Sequence, residues 1–161
     1  MLLFLKNDQG QFISGIRKLK KAEYGTGRFD DNGEELVDWI KFKTKYADQY
    51  GFDMRKKSVE GIYCTEVILP HGTIIIRYGP ESGKYTAPEG TSYDTLALPY
   101  ERSTVEFHKY KVNTPLQVAY VKVRKGIVAP MFDSDGGVVQ FYHFKNNIRE
   151  LLKMRALVRI L

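Results

Sequence analysis

The chain reads as an α+β domain, with a helical N-terminal lobe over 1–60 and a twisted, mainly antiparallel β-sheet core carrying a short C-terminal helix over 61–161. Two observations predict this class. Before residue 60, apolar residues recur at helical spacing behind capping residues. From Gly61 onward the apolar runs become short, rich in β-branched and aromatic residues, and bounded by Gly, Pro, Asn or Asp. At 161 residues the chain fits one domain, long enough to bury about 70% of its unfolded surface without metals or disulfides.

In order along the chain, "DDNGEELVDWIKFKTKYADQYG" (30–51) predicts a helix. Asp30 to Asn32 are its caps, acidic residues fill the first turn, and Leu36, Trp39, Ile40 and Phe42 or Tyr46 make a core-facing stripe. The segments "IYCTEVILP", "GTIIIRYG", "TVEFHKYKV", "PLQVAYVKV" and "GGVVQFYHF" predict strands, with a tight connection at "LPHGT" (69–73). A last helix over about 146–155 is capped by Asn146 or Asn147, and "ALVRIL" reads as a terminal strand.

Composition narrows the function classes. Cys64 is the only cysteine, so no intramolecular disulfide forms; its apolar setting suits a structural thiol and a reducing compartment. The opening "MLLFLKNDQGQ" has too short an apolar run for a signal peptide, and nothing approaches the roughly 20 apolar residues of a membrane span. Export would need another route or a fused partner. The net charge of +6 favours an anionic partner, although it is dispersed and the basic runs at 17–21 and 122–126 fit solvated faces.

No P-loop, G-x-G-x-x-G, H-E-x-x-H or G-x-S-x-G motif occurs. His71, His108 and His143 lack metal-ligand spacing, and "DSDGG" (133–137) fits an Asp-Gly turn better than a calcium loop. No metal site and no organic cofactor are expected. Strand alternation puts Glu106, His108, Tyr110 and Val112 on one face, and Val138, Gln140 and Tyr142 on one face opposite Val139, Phe141 and His143. Arg77 ends its strand at the mouth of "RYGPESGKYTAPEGTS" (77–92), where Gly79, Gly83 and Gly90 permit tight turns. Each of these polar residues, taken singly, also fits an ordinary surface position.

Together, "RYGPESGKYTAPEGTSYDTLALPY", "FHKYKV", "GIVAPMFDSDGGVVQFY" and "IRELLKMRALVRI" resemble the tuberculosis necrotizing toxin family of NAD(+) glycohydrolase domains. The likeness covers 74–161 and rests on the order R-[FY]-G-x5-Y-x-A-P-x-G-T, H-x-Y-x-V and A-P-x-F-x3-G-G-x2-Q. Residues 1–60 match no motif of the family. The resemblance implies catalytic positions at Arg77, Tyr85, His108 and Gln140, and a substrate-binding set of Arg77, Tyr78, Gly79, Gly83, Tyr85 and Arg102. One departure stands out: Leu96 occupies a place where many members carry arginine, so Arg102 or Lys84 must substitute or binding is weaker. Preference between NAD(+) and NADP(+) is left open.

The implied reaction is hydrolysis of NAD(+), as substrate and not cofactor, to ADP-ribose and nicotinamide. Nicotinamide departs neutral, so no acid is needed and the usual glycosidase pair of carboxylates can be absent. The resemblance implies that Arg77 contacts the pyrophosphate, that Tyr85 stacks on nicotinamide or adenine, and that the turn around Gly79 and Gly83 lets substrate approach. Gln140 would orient the ribose hydroxyls or the attacking water, and His108 would bond ribose or phosphate or take the water's proton. It further implies a cognate immunity protein, a specialised export route and action in a target cell's cytoplasm, with neither nucleic acid nor stable membrane association. An ADP-ribosyltransferase, which generally needs a Glu where Gln140 stands, and a nucleic-acid-binding module are the alternative readings.

Overall fold

The computed structural model describes residues 50–98, 102, 105–116, 120–130 and 134–161, together with 5–6, 12–13, 25–29, 31, 35–37 and 47–48. Its strands are β1 (Leu5–Lys6), β2 (Phe12–Ile13), β3 (Gly25–Phe29), β4 (Glu35–Val37), β5 (Cys64–Leu69), β6 (Ile74–Tyr78), β7 (Tyr85–Pro88), β8 (Phe107–Val112), β9 (Val121–Ile127), β10 (Val139–Tyr142) and β11 (Leu157–Arg159). A 3-10 turn, Tyr93–Thr95, and one helix, α1 (Ile148–Lys153), complete the described elements.

The class expected from the sequence needs correction. The described residues form a mainly antiparallel β protein with one short helix, and no helical lobe occurs among the described residues of 1–60. β1 pairs with β2 and β3 with β4, with Gly25 opposite Val37 and Phe29 opposite Glu35. Leu36, expected on a helical stripe, therefore sits in a strand. The physical reason lies between β3 and β4: Asn32-Gly33 is a strong hairpin signal, and the acidic residues around it also resemble a helix start. The other expected stripe positions, Trp39, Ile40, Phe42 and Tyr46, lie outside the described residues.

Seven strands form the main sheet in the order β11-β8-β6-β7-β10-β9-β5, every neighbour antiparallel. Side chains alternate between its two faces, and cross-strand partners share a face. One face carries Leu69, Ile75, Tyr110, Val112, Val121, Val123, Phe141 and Leu157. The apolar side of α1, Ile148 and Leu151, packs with them to make the main core. The helix starts where it does because Asn147 and Glu150 close a capping box: the Asn147 side chain accepts from the Glu150 N–H at 2.8 Å, and the Glu150 carboxylate accepts from the Asn147 N–H at 3.0 Å.

The opposite face is covered by a strap, residues 50–53. Ala129 N–H donates to the Gly51 carbonyl at 3.0 Å, and Asp53 N–H to the Ile127 carbonyl at 2.8 Å. Phe52, fully buried, lies over Gly126, where an added Cβ would stand 2.6 Å from its ring. Gly126→Ala therefore overpacks this contact, and we expect a loss of about 1–3 kcal/mol in urea unfolding. An unchanged midpoint would show that Phe52 is not seated there.

Candidate active site

The strap-covered face holds a pocket of about 160 Å³ at the middle of the sheet. Its walls are mostly apolar: Ile76 and Ala87 from β6 and β7, Leu96, Ala97 and Leu98 from the loop that follows, and Val128 and Ala129 after β9. Tyr50 and Gly51 of the strap close one side. Ala97 holds φ at +51°, a left-handed conformation that a non-glycine residue adopts at a cost of roughly 1 kcal/mol or more. Leu96, the position where the resemblance led us to look for an arginine, is thus a wall of this pocket.

Gln140 is 8% exposed and lines the pocket from β10. Its Nε2 lies 3.5 Å from the Tyr50 carbonyl, a long contact, and an added Cβ on Gly51 would also stand 3.5 Å from that nitrogen. Among the described residues, no group donates to its Oε1. The strand reaches this place because Gly136 and Gly137 turn the chain with φ of +61° and +85°, values costly for other residues. At Gly136 an added Cβ would meet the Val128 carbonyl at 2.4 Å.

Tyr85 and Tyr142 are cross-strand partners, with ring centroids 5.1 Å apart, and Tyr50 stacks on Tyr142 at 4.6 Å. Three rings from distant parts of the chain therefore form one ladder beside Gln140. Burial, before any neighbouring group, pushes the Tyr85 phenol up, so it remains protonated at neutral pH. Arg124, opposite Tyr142 on β9, lies 5.6 Å above the Tyr50 ring. At another edge, Arg102 lies 4.7 Å over the ring of Tyr78, which also lines the pocket.

Arg77 borders the same pocket, but its guanidinium is engaged within the glycine-rich turn. β6 and β7 pair only at Ile75–Pro88 and Ile76–Ala87. Where the strands diverge, Arg77 Nη1 donates to the Tyr85 carbonyl at 2.9 Å and Nε to the Pro80 carbonyl at 2.7 Å. Gly83 makes room: an added Cβ would fall 1.8 Å from Nη2. Three more carbonyls of the turn are held from the core side. Arg149 N–H donates to Glu81, Ile148 N–H to Gly83 and His143 N–H to Lys84. The carboxylate of Glu81 receives Arg159 and the Tyr110 hydroxyl; Arg159 is the main reason its acidity is raised.

His108 is not in this pocket. It is the cross-strand partner of Arg77, and its Nε2 lies 2.8 Å from Glu106 Oε2, with its ring 5.9 Å from that of Tyr110. By register, His108 and Arg77 leave the sheet on the core side, while Gln140, Tyr142 and Tyr85 leave it on the pocket side. Of the residues named from sequence, Arg77, Tyr78, Tyr85 and Gln140 therefore surround one cavity. Gly79 and Gly83 shape the turn, Arg102 stands at the rim, and His108 lies apart. Sequence reasoning missed Tyr50, Gly51 and Arg124; the run "DQYGF" carried the only signal, an Asp two residues before a Tyr-Gly turn.

A profile described as "Tuberculosis necrotizing toxin" matches residues 68–160, more than half of the chain. The chain belongs to the tuberculosis necrotizing toxin family. Tuberculosis necrotizing toxin itself, solved in complex with its immunity factor, superposes with a TM-score of 0.50 at 14% identity, covering 95% of this chain and 94% of that one. A structure of Tse6 in complex with Tsi6 aligns with a TM-score of 0.41 at 14% identity over 61% of this chain and 72% of the other. Among curated proteins, none matches. The family match includes Arg77, Tyr85 and Gln140 but leaves out the strap residues Tyr50 and Gly51.

Two predictions follow the geometry. Gly83→Ala drives the guanidinium of Arg77 out of the turn, and the loss of two charge-assisted bonds costs about 2–4 kcal/mol in chemical unfolding; an unperturbed variant would contradict the clamp. The second concerns His143, 1% exposed, whose Nε2 lies 2.7 Å from Thr86 Oγ1 and whose Nδ1 has no partner among the described residues. Burial, then the charge of Arg77, lowers its pKa from 6.5 to about 3. Because the folded value is depressed, its stabilising contribution is complete above pH 6.5 and declines as pH falls toward 3. Over pH 6.5 to 4.5, His143→Gln should flatten this decline by about tenfold in folding constant per pH unit; equal slopes would contradict a buried neutral imidazole.

Proposed function

We propose that this chain is an NAD(+) glycohydrolase toxin domain, hydrolysing NAD(+) to ADP-ribose and nicotinamide. The observation that carries the reading is Gln140: a buried amide whose carbonyl no described residue claims, on the wall of an apolar pocket, in a chain of the tuberculosis necrotizing toxin family. An apolar slot with one amide suits a flat, weakly polar ring bearing a carboxamide. As the C1′–N bond breaks, its electron pair passes to the pyridinium nitrogen and nicotinamide leaves neutral. Water adds its oxygen to C1′ and releases a proton to solvent.

The side chains divide the work. Gln140 orients the leaving group through its Oε1. Tyr85 lends ring surface and a protonated hydroxyl. Arg77 brings positive charge to the pocket's border and holds Tyr85 by its carbonyl, and Arg102 at the Tyr78 rim takes the pyrophosphate in place of the arginine missing at Leu96. Preorganised groups of this kind, fixed before substrate arrives, are what a short-lived cationic centre requires. His108 stands outside the pocket, in the same cross-strand row as Arg77, and has no part in these steps. Metal and organic cofactors have no part in this scheme.

By analogy with tuberculosis necrotizing toxin and its immunity factor, a cognate immunity protein restrains this domain at home, and delivery into a target cell's cytoplasm brings it to its substrate. The test is nicotinamide release from adenine-labelled NAD(+) and NADP(+) by purified protein. We expect free labelled ADP-ribose, and a drop of about 10²–10³-fold in kcat/KM for folded Gln140→Ala. No release by folded protein would overturn the reading, and label left on a macromolecule would identify a transferase instead.

A further inference from the structure

The pocket wall outside the family match has its own organisation. Asp48 Oδ1 accepts from the Tyr50 N–H at 2.8 Å and from the Phe52 N–H at 3.0 Å. Its backbone completes the turn, with Asp48 N–H donating to the Phe52 carbonyl at 3.0 Å and Gly51 N–H to the Asp48 carbonyl at 3.1 Å. One carboxylate oxygen thus holds the peptide groups on either side of Gly51, and with them the orientation of the Tyr50 carbonyl, while Ala129 anchors the Gly51 carbonyl to the sheet. Those two groups face the amide nitrogen of Gln140. An amide side chain can rotate by half a turn, presenting either a donor or an acceptor to the pocket. A carbonyl placed against its nitrogen end selects one state, with Oε1 left to the ligand.

We propose that Asp48 is a positioning residue which, through the strap, makes Gln140 an acceptor and so gives the pocket selectivity for a ring carrying an N–H donor, the carboxamide of nicotinamide. The inference rests on the proposed function for its substrate. It differs in placing selectivity on a segment that the family profile does not cover. The Phe52 ring over Gly126 and the backbone bonds from Ala129 to Gly51 and from Asp53 to Ile127 hold the strap without the Asp48 carboxylate, so its loss loosens the turn without detaching it.

The experiment compares parent, Asp48→Ala and Asp48→Asn with NAD(+) and with the NAD analogue in which an acetyl group replaces the carboxamide. The acetyl group accepts hydrogen bonds but donates none. We expect the parent's preference in kcat/KM for NAD(+) over the analogue to shrink by about tenfold in Asp48→Ala, the worth of one hydrogen bond of ordinary strength. Asp48→Asn, whose Oδ1 still accepts both N–H groups, should keep the preference. Equal preference in all three would overturn the proposal, as would its loss in Asp48→Asn with folding intact. Should the parent release no nicotinamide, the glycohydrolase reading fails, and nicotinamide titration by NMR decides the strap separately. Weaker binding in Asp48→Ala alone would support it; equal binding in all three, or none in the parent, would overturn it.

Discussion

The guanidinium of Arg77 lies where two strands part, and much of the molecule is arranged around that. β6 and β7 pair briefly and then separate to accommodate the turn between them. Left alone, the freed backbone carbonyls would be costly so near the core. Arg77 takes those of Pro80 and Tyr85, while the first N–H groups of α1 take those of Glu81 and Gly83. The turn becomes a joint that locks β7 to the helix-covered core. Tyr85 then meets the pocket from a fixed backbone. Gly83 is required because a side chain there would occupy the guanidinium's position.

The pleat decides which residues can act together. Cross-strand partners share a face, so the row through Arg77 and His108 belongs to the side packed by α1, and the row through Gln140, Tyr142 and Tyr85 to the open side. Arg77 reaches the pocket because it stands where β6 and β7 separate; His108, its partner on the other side of β6, bonds Glu106 instead. The face without the helix is closed by a strap from early in the chain and by the 96–98 segment. A sheet covered this way leaves a cavity with few polar groups, which suits a flat aromatic ring better than a phosphate. The cations therefore stand at its edges, Arg102 over Tyr78 and Arg124 over Tyr50.

Local chemistry made parts of this legible in the sequence. β5, β6, β8 and β10 fall within runs whose β-branched residues and Gly or Pro boundaries leave little choice, and alternation alone put Gln140 and Tyr142 together. β9 was legible only in its first three residues: it begins at the end of the run 115–123 and continues through the basic stretch to Ile127. β7 escaped notice because "YTAP" is short, ends in proline and lies in a stretch that reads as turn. The N-terminal expectation went wrong at 30–37, where Asp, Asn and Glu can cap a helix or flank a hairpin and pairing with β3 decides the outcome. Tyr50 was invisible as a site residue because its contact with Gln140 spans 90 positions, a distance no local pattern encodes. The role of Arg77 was half legible: the glycines announced a close approach, but what approached was the arginine itself.

The central claim is that chemistry takes place on the open face, at Gln140 and Tyr85, and not on the face of His108. Backbone chemical-shift mapping with nicotinamide and with ADP-ribose tests this most directly, since it reads location without requiring turnover. Shifts clustered on Tyr50, Tyr85, Ala87, Ala97 and Gln140 are the result this account predicts. A cluster on Glu106, His108 and Tyr110, with the pocket residues unmoved, would contradict it.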